Sequence, residues 1–168
     1  MDTETTLYPL TFAPRVLEKV WGGRKLSTRF GKPESQKPLG ESWEISAVEG
    51  RESIVALGPL AGQNLGELVH SFGARLVGTE ILEKYEGEFP LLLKLLDASE
   101  DLSVQVHPGH AEAEKIGGDA KSKSEAWLIL DVEPGARLVQ GLKKGVDRAQ
   151  LEALVAQDKI EESLRWLE

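Results

Sequence analysis

The chain has 168 residues, 40% of them hydrophobic and 29% charged, with a formal net charge of -8. That is enough chain for one ordinary soluble domain with its own core, and the acidic balance argues against nucleic acid and anionic membrane surfaces as partners. The absence of cysteine excludes disulfides and thiolate metal sites, leaving His, carboxylate and amide side chains as metal ligands.

In chain order, the segment from Met1 to Leu10 lacks a charged region followed by a long apolar run. Neither a signal peptide nor a membrane span is expected, and the cytoplasm is the expected location. Trp21-Gly22-Gly23 and Gly31-Lys32-Pro33 read as turns, and short strands are predicted from Ser42 to Val48 and from Ser53 to Leu57. Glu41 and Glu44, on either side of Trp43, read as exposed carboxylates. Asn64, with Glu67 three residues later, has the pattern of a helix cap. Leu65, Leu68, Val69 and Phe72 follow at helical spacing, and Ile81, Leu82 and Tyr85 suggest a further turn or two.

From Phe89 to Leu96 the chain is apolar except for Lys94, which predicts a buried strand. A second strand is predicted from Leu102 to His107, then a short helix from Ala111 to Ile116. A third strand follows from Glu125 to Leu130, a turn at Glu133-Pro134-Gly135, and a fourth strand from Arg137 to Gln140. Asp147 with Gln150 opens a helix, and a last helix is predicted from Ile160 to Leu167. No internal repeat or linker is evident, so residues 1–168 are expected to form one domain. Strands dominate the middle, with helices between groups of strands, which argues for an antiparallel sandwich or barrel rather than βαβ units.

The chemistry concentrates in the two middle strands. In Leu102-Ser103-Val104-Gln105-Val106-His107, alternation puts Ser103, Gln105 and His107 on one face. Gln105 and His107 can then converge on a point suited to a metal with nitrogen and oxygen ligands. In the following strand, Lys123, Glu125 and Trp127 share a face, offering a carboxylate ligand beside a cation. The bland alternatives are a polar outer face and a surface Lys/Glu pair worth about 0.5 kcal/mol. Lys94, alone among leucines, either runs its stem to the surface or points into a polar cavity. A cavity shared by both lysines and the Gln/His/Glu set would suit a small phosphorylated or polyhydroxyl ligand. His70 and His110 read as ordinary surface or packing histidines.

The run from Phe89 to Ala98, the segment Leu102-Ser103-Val104-Gln105-Val106-His107-Pro108 and the segment Lys123-Ser124-Glu125-Ala126-Trp127 together resemble type I mannose-6-phosphate isomerases in their shorter bacterial form. Val20-Trp21-Gly22-Gly23 and Gly40-Glu41-Ser42-Trp43-Glu44-Ile45-Ser46 match the same family, so the resemblance covers essentially the whole chain. It implies a cupin-type jelly-roll β-sandwich, mostly β with inserted helices, and one zinc ion on Gln105, His107 and Glu125. It also implies that Ser103, Lys94, Lys123 and Trp21 bind a sugar phosphate, with Lys94 and Lys123 catalytic. The implied reaction interconverts mannose 6-phosphate and fructose 6-phosphate, moving a proton between C1 and C2 through an enediol-like intermediate. The family's fourth ligand, a histidine in a Pro-x-Gly-Thr-x-His-Ala-like segment, and a later arginine have no motif counterpart here. The chain is therefore expected to be the N-terminal, metal-binding portion of such a cupin, truncated before its C-terminal strands, with its sheet edges covered by a homo-oligomer. The alternative is a truncated, non-catalytic cupin that binds metal or sugar phosphate.

Overall fold

The computed structural model describes residues 6–118 and 120–168; residues 1–5, half of the segment read for a leader, and residue 119 lie outside the described residues. The chain divides into two compact units, Met1–Gln105 and Val106–Glu168.

The first unit runs β1 (Phe12–Ala13), β2 (Arg15–Gly23), α1 (Lys25–Thr28), β3 (Leu39–Ile45), β4 (Ile54–Val55), α2 (Leu65–Phe72), α3 (Ala74–Val77), α4 (Thr79–Lys84) and β5 (Leu93–Leu96). Its main sheet has the order β2-β3-β5, antiparallel throughout. β1 and β4 form a separate antiparallel ribbon. A Cβ on Gly22 would lie 2.6 Å from the Leu39 carbonyl carbon and the Gly40 nitrogen. Only a bare Cα lets the end of β2 come this close to β3. Ser99 N then donates to the Trp21 carbonyl at 2.9 Å, tying the chain beyond β5 to the same corner.

Helix α2 forms where the periodicity places it. The Asn64 side chain accepts from Glu67 N at 2.8 Å, and Leu65, Leu68, Val69 and Phe72 are its buried face. Val55, Leu60, Leu68 and Phe72 make a core cluster, with Leu7, Tyr8, Leu10, Phe12 and Leu76 packed against it. Burying a side chain such as Leu68 removes apolar surface worth about 2 kcal/mol from water.

The second unit contains α5 (His110–Ile116), β6 (Leu138–Leu142), α6 (Arg148–Ala156), a 3-10 turn (Ile160–Ser163) and β7 (Leu164–Leu167). β6 and β7 pair antiparallel. Asp147 and Gln150 make a reciprocal capping box on α6, and the turn after Glu133 closes through Ala136 N to the Glu133 carbonyl at 3.0 Å. None of the described helices is long and apolar enough to cross a membrane.

The structure corrects several expectations. Trp21-Gly22-Gly23 is the end of β2 rather than a turn. The early strands are Leu39–Ile45, shifted toward the N-terminus from the one expected, and Ile54–Val55, shorter than the one expected. Of the apolar run from Phe89, only Leu93–Leu96 is a strand, and Leu91 and Leu93 are exposed. The segments 102–107 and 125–130 are not strands at all. Alternation supplies a pattern, but a strand also needs a ladder partner, and no described strand pairs with either segment. Accordingly Val106 is 91% exposed and Leu128 83%. Of the helix expected from Ile160 to Leu167, Ile160–Ser163 is a 3-10 turn and Leu164–Leu167 is a strand: Leu138 lies opposite Leu167 and Val139 opposite Trp166, so there sheet contacts override helical spacing.

Candidate functional site

In the second unit three side chains meet. His107 Nε2 lies 3.1 Å from Glu125 Oε2, and the Lys123 ammonium lies 3.2 Å from each of those atoms. The Lys123 backbone N donates to the Pro108 carbonyl at 3.3 Å, which aligns the segment after α5 beside the segment before it. The side chains are part-exposed, 29% for His107, 26% for Glu125 and 41% for Lys123, so a small solute has access.

The electrostatics of the trio turn on one nitrogen. A protonated Nε2 donates to Glu125, whereas a Nε2 lone pair accepts from Lys123; it does one at a time. Burial pushes the Glu125 carboxyl up, but the Lys123 ammonium and hydrogen bonds with Lys123, His107 and Trp127 outweigh it and hold the carboxyl below its ordinary value. Glu125 is therefore an anion poised toward a cation. The lone-pair form of imidazole and an ionised carboxylate are also the forms that bind metal.

Those two donors fit a divalent ion. A spacing of 3.1 Å between imidazole nitrogen and carboxylate oxygen suits two atoms bound to one ion at about 2.0–2.2 Å each. The point on which they converge is already one that a cation, the Lys123 ammonium, approaches. Among the described residues no group of three His or carboxylate side chains comes together.

In the first unit the Gln105 amide nitrogen donates to Ser103 Oγ at 2.7 Å. The two side chains lie together, as alternation along an extended segment implies, although the segment is not a paired strand. Lys94 stands on β5 opposite Trp43 of β3. Its ammonium is 3.8 Å from Glu41 Oε2 and its side chain is 21% exposed, so the head has a carboxylate partner rather than a free run to solvent. Trp21, on β2, is half-buried and anchored through its carbonyl. His70 is exposed on α2, and His110 Nδ1 lies 3.0 Å from the Ser122 hydroxyl.

Glu41 corrects the sequence reading: it is 8% exposed and takes the Trp43 indole N–H at 2.7 Å. Glu44 is half-buried and held by Ser42 Oγ and the Lys32 ammonium. The available signal was the two-residue spacing of Glu41 and Trp43 within a strand, which puts a carboxylate on the face of a core aromatic.

Comparison with known proteins shows what the chain as a whole is similar to. The family described as phosphomannose isomerase type I, catalytic domain, matches residues 10–126. The probable mannose-6-phosphate isomerase GmuF of Bacillus subtilis is 39% identical over 135 residues, 80% of this chain and 41% of that protein. The mannose-6-phosphate isomerase ManA of the same organism is 34% identical over 165 residues, 95% of this chain and 49% of that protein. The chain thus spans about half the length, or less, of these curated relatives. The crystal structure of the mannose 6-phosphate isomerase from Bacillus subtilis superposes with a TM-score of 0.81 at 34% identity, covering 95% of this chain and 49% of that one. A phosphomannose isomerase variant from Salmonella typhimurium gives 0.54 at 25% identity over 63% of this chain and 26% of that one. The mostly β, cupin-type architecture expected from the sequence is the one found.

Proposed function

The chain belongs to the type I phosphomannose isomerase family, and on that footing we propose that residues 1–168 form the metal-binding portion of a cytoplasmic mannose-6-phosphate isomerase. The observation that carries the reading is the meeting of His107, Lys123 and Glu125, a metal-type donor pair with a cation beside it. In this reading His107, Glu125 and Gln105 hold one zinc ion, Gln105 through its amide oxygen. Zinc, when bound, supplies Lewis-acid polarisation of a substrate oxygen. Lys123 and Lys94 add electrostatic support for the oxyanion that develops as a proton moves between C1 and C2 of the opened sugar. Ser103 and Trp21 line the sugar-phosphate site. The product, fructose 6-phosphate, forms by way of an enediol-like intermediate.

A second reading, a cupin that binds metal or sugar phosphate without catalysis, is favoured by one observation. Among the described residues His107 and Glu125 are not joined by a third His or carboxylate side chain. A coupled assay for fructose 6-phosphate formation by the 168-residue chain separates the two. Turnover that disappears in Lys123→Met supports the isomerase; zinc and sugar-phosphate binding without turnover selects the binding module.

We also propose a homo-oligomer. Trp127, Leu128, Ile129, Leu130 and Val132 are each at least half exposed and lack a ladder partner among the described strands. A contiguous apolar strip of this kind marks an association surface, and a second copy of the chain is the proposed cover.

A further inference from the structure

Trp21 stands at the corner where β2 ends and α1 begins, and residues just past β5 close that corner. Ser99 N donates to the Trp21 carbonyl at 2.9 Å. The Ser99 hydroxyl lies 3.3 Å from the same carbonyl and 2.5 Å from that of Gly22. One serine thus holds two consecutive carbonyls of the corner.

Asp97 holds the turn that follows. α1 opens on Arg24, whose guanidinium has no acceptor to offer, and its first turn carries no acidic residue. The acceptor comes instead from Asp97, 72 residues from Lys25 in the chain: its Oδ2 takes Lys25 N at 2.6 Å and Leu26 N at 3.4 Å. Asp97 N donates to the Gly40 carbonyl at 3.0 Å, which ties the aspartate to β3. Gly23 leaves the carboxylate room, since a Cβ there would lie 2.5 Å from one of its oxygens. The ring of Trp21 is seated as well. A Cβ on Gly40 would lie 2.8 Å from Trp21 Cζ3, so an edge of the indole rests on a bare Cα of β3 while Trp21 stays half-buried.

We propose that Ser99 and Asp97 are positioning residues for Trp21, holding its half-buried indole ready for the apolar face of the sugar in a sugar phosphate. The inference rests on the assignment of Trp21 to the sugar-phosphate site and deepens it. Aromatic side chains in ligand sites supply apolar contact, and a few polar groups then orient the ligand. A ring that becomes ordered only on binding gives up affinity to that ordering, whereas a ring fixed beforehand does not. Trp21 lies outside the core cluster of Val55, Leu60, Leu68 and Phe72, so its ties do not complete that core. They fix the ring from three sides: its own carbonyl on Ser99, the following turn on Asp97, and its edge on Gly40.

The test measures binding of mannose 6-phosphate to the 168-residue chain, supplied with zinc, by calorimetry, with circular dichroism to verify folding. Ser99→Ala and Asp97→Ala are each expected to weaken binding about fivefold, the worth of one hydrogen bond. Asp97→Asn, which keeps an acceptor for Lys25 N, is expected to bind like wild type. Trp21→Leu, which keeps an apolar body against Gly40, is expected to weaken binding about tenfold, and Ser99→Ala added to it to weaken binding no further. That last result separates positioning from a merely structural role, whose cost would add in both backgrounds. If the wild type does not bind, or folded Trp21→Leu binds like wild type, the assignment of Trp21 fails and this inference with it. If Trp21→Leu weakens binding while Ser99→Ala or folded Asp97→Ala does not, or Ser99→Ala keeps its full cost in the Trp21→Leu chain, only the present inference is overturned. Should Asp97→Ala fail to fold, the Ser99→Ala and Trp21→Leu pair decides: additive losses overturn the proposal, and a vanished Ser99→Ala effect upholds it.

Discussion

His107 Nε2 and Glu125 Oε2, 18 residues apart in the chain, lie 3.1 Å from each other. The contact brings an imidazole and a carboxylate together without a paired strand under either residue, since both segments lie outside the described strands. What holds them is the Lys123 backbone contact to Pro108 and the Lys123 ammonium between them.

If that pair ligates zinc, purified chain loaded with zinc and dialysed retains close to one ion per chain, and His107→Ala retains far less. Losing one of so few protein ligands is expected to cost at least about tenfold in affinity. Elemental analysis of both proteins after identical dialysis is the measurement, and equal zinc content removes the site.

The Glu125 carboxyl is held below its ordinary value by Lys123 and His107, against burial. A depressed folded-state value means that the unfolded chain binds the proton more readily, so the contribution is complete above the unfolded value and is lost as pH falls through the folded one. The stability gap between wild type and Glu125→Gln is therefore expected to be constant at neutral pH and to close only below about pH 4.5, the ordinary value. Urea titrations of metal-free protein from pH 3 to pH 7, about the range that brackets a carboxyl, check this. A gap that closes near neutrality contradicts it.

Leu68 is fully buried beneath α2, within the cluster of Val55, Leu60 and Phe72. Leu68→Ala is expected to destabilise the chain by about 2–5 kcal/mol. Asn64→Ala, which removes only the cap on Glu67 N, is expected to cost about 1 kcal/mol. Chemical denaturation ranks the two, and a smaller loss for Leu68→Ala than for Asn64→Ala means that the cluster is not the core.

The apolar strip from Trp127 to Val132 is expected to drive association, because Leu128 alone is 83% exposed and edges of this kind recruit further strands. Sedimentation of the chain at micromolar concentration is expected to show a dimer or larger species, and Leu128→Lys to shift it toward monomer. A well-folded wild-type monomer ends this prediction.

The helices at Asn64 and Asp147 and the short helix before Gly117 were legible in the chain, because caps and helical spacing act within a few residues. So were the residue types of the candidate site: Gln105, His107, Lys123 and Glu125 stood out against the surface residues that extended segments usually carry. The sandwich class was legible too, since it follows from the order of elements. The alternation at 102–107 and the apolar run at 125–130 predicted strands that the structure does not contain, because pairing depends on partners that local pattern does not encode.

Sequence by itself thus determined the helix starts, the absence of thiolate chemistry and the residue types available to a metal, all of which depend on near neighbours or on composition. Tertiary structure decided the burial of Glu41 and the pairing of the last segment as β7 with β6. It also decided the closure of His107 on Glu125. Each of these joins residues far apart in the chain, through sheet register or through side-chain contacts that form only when distant segments are brought side by side.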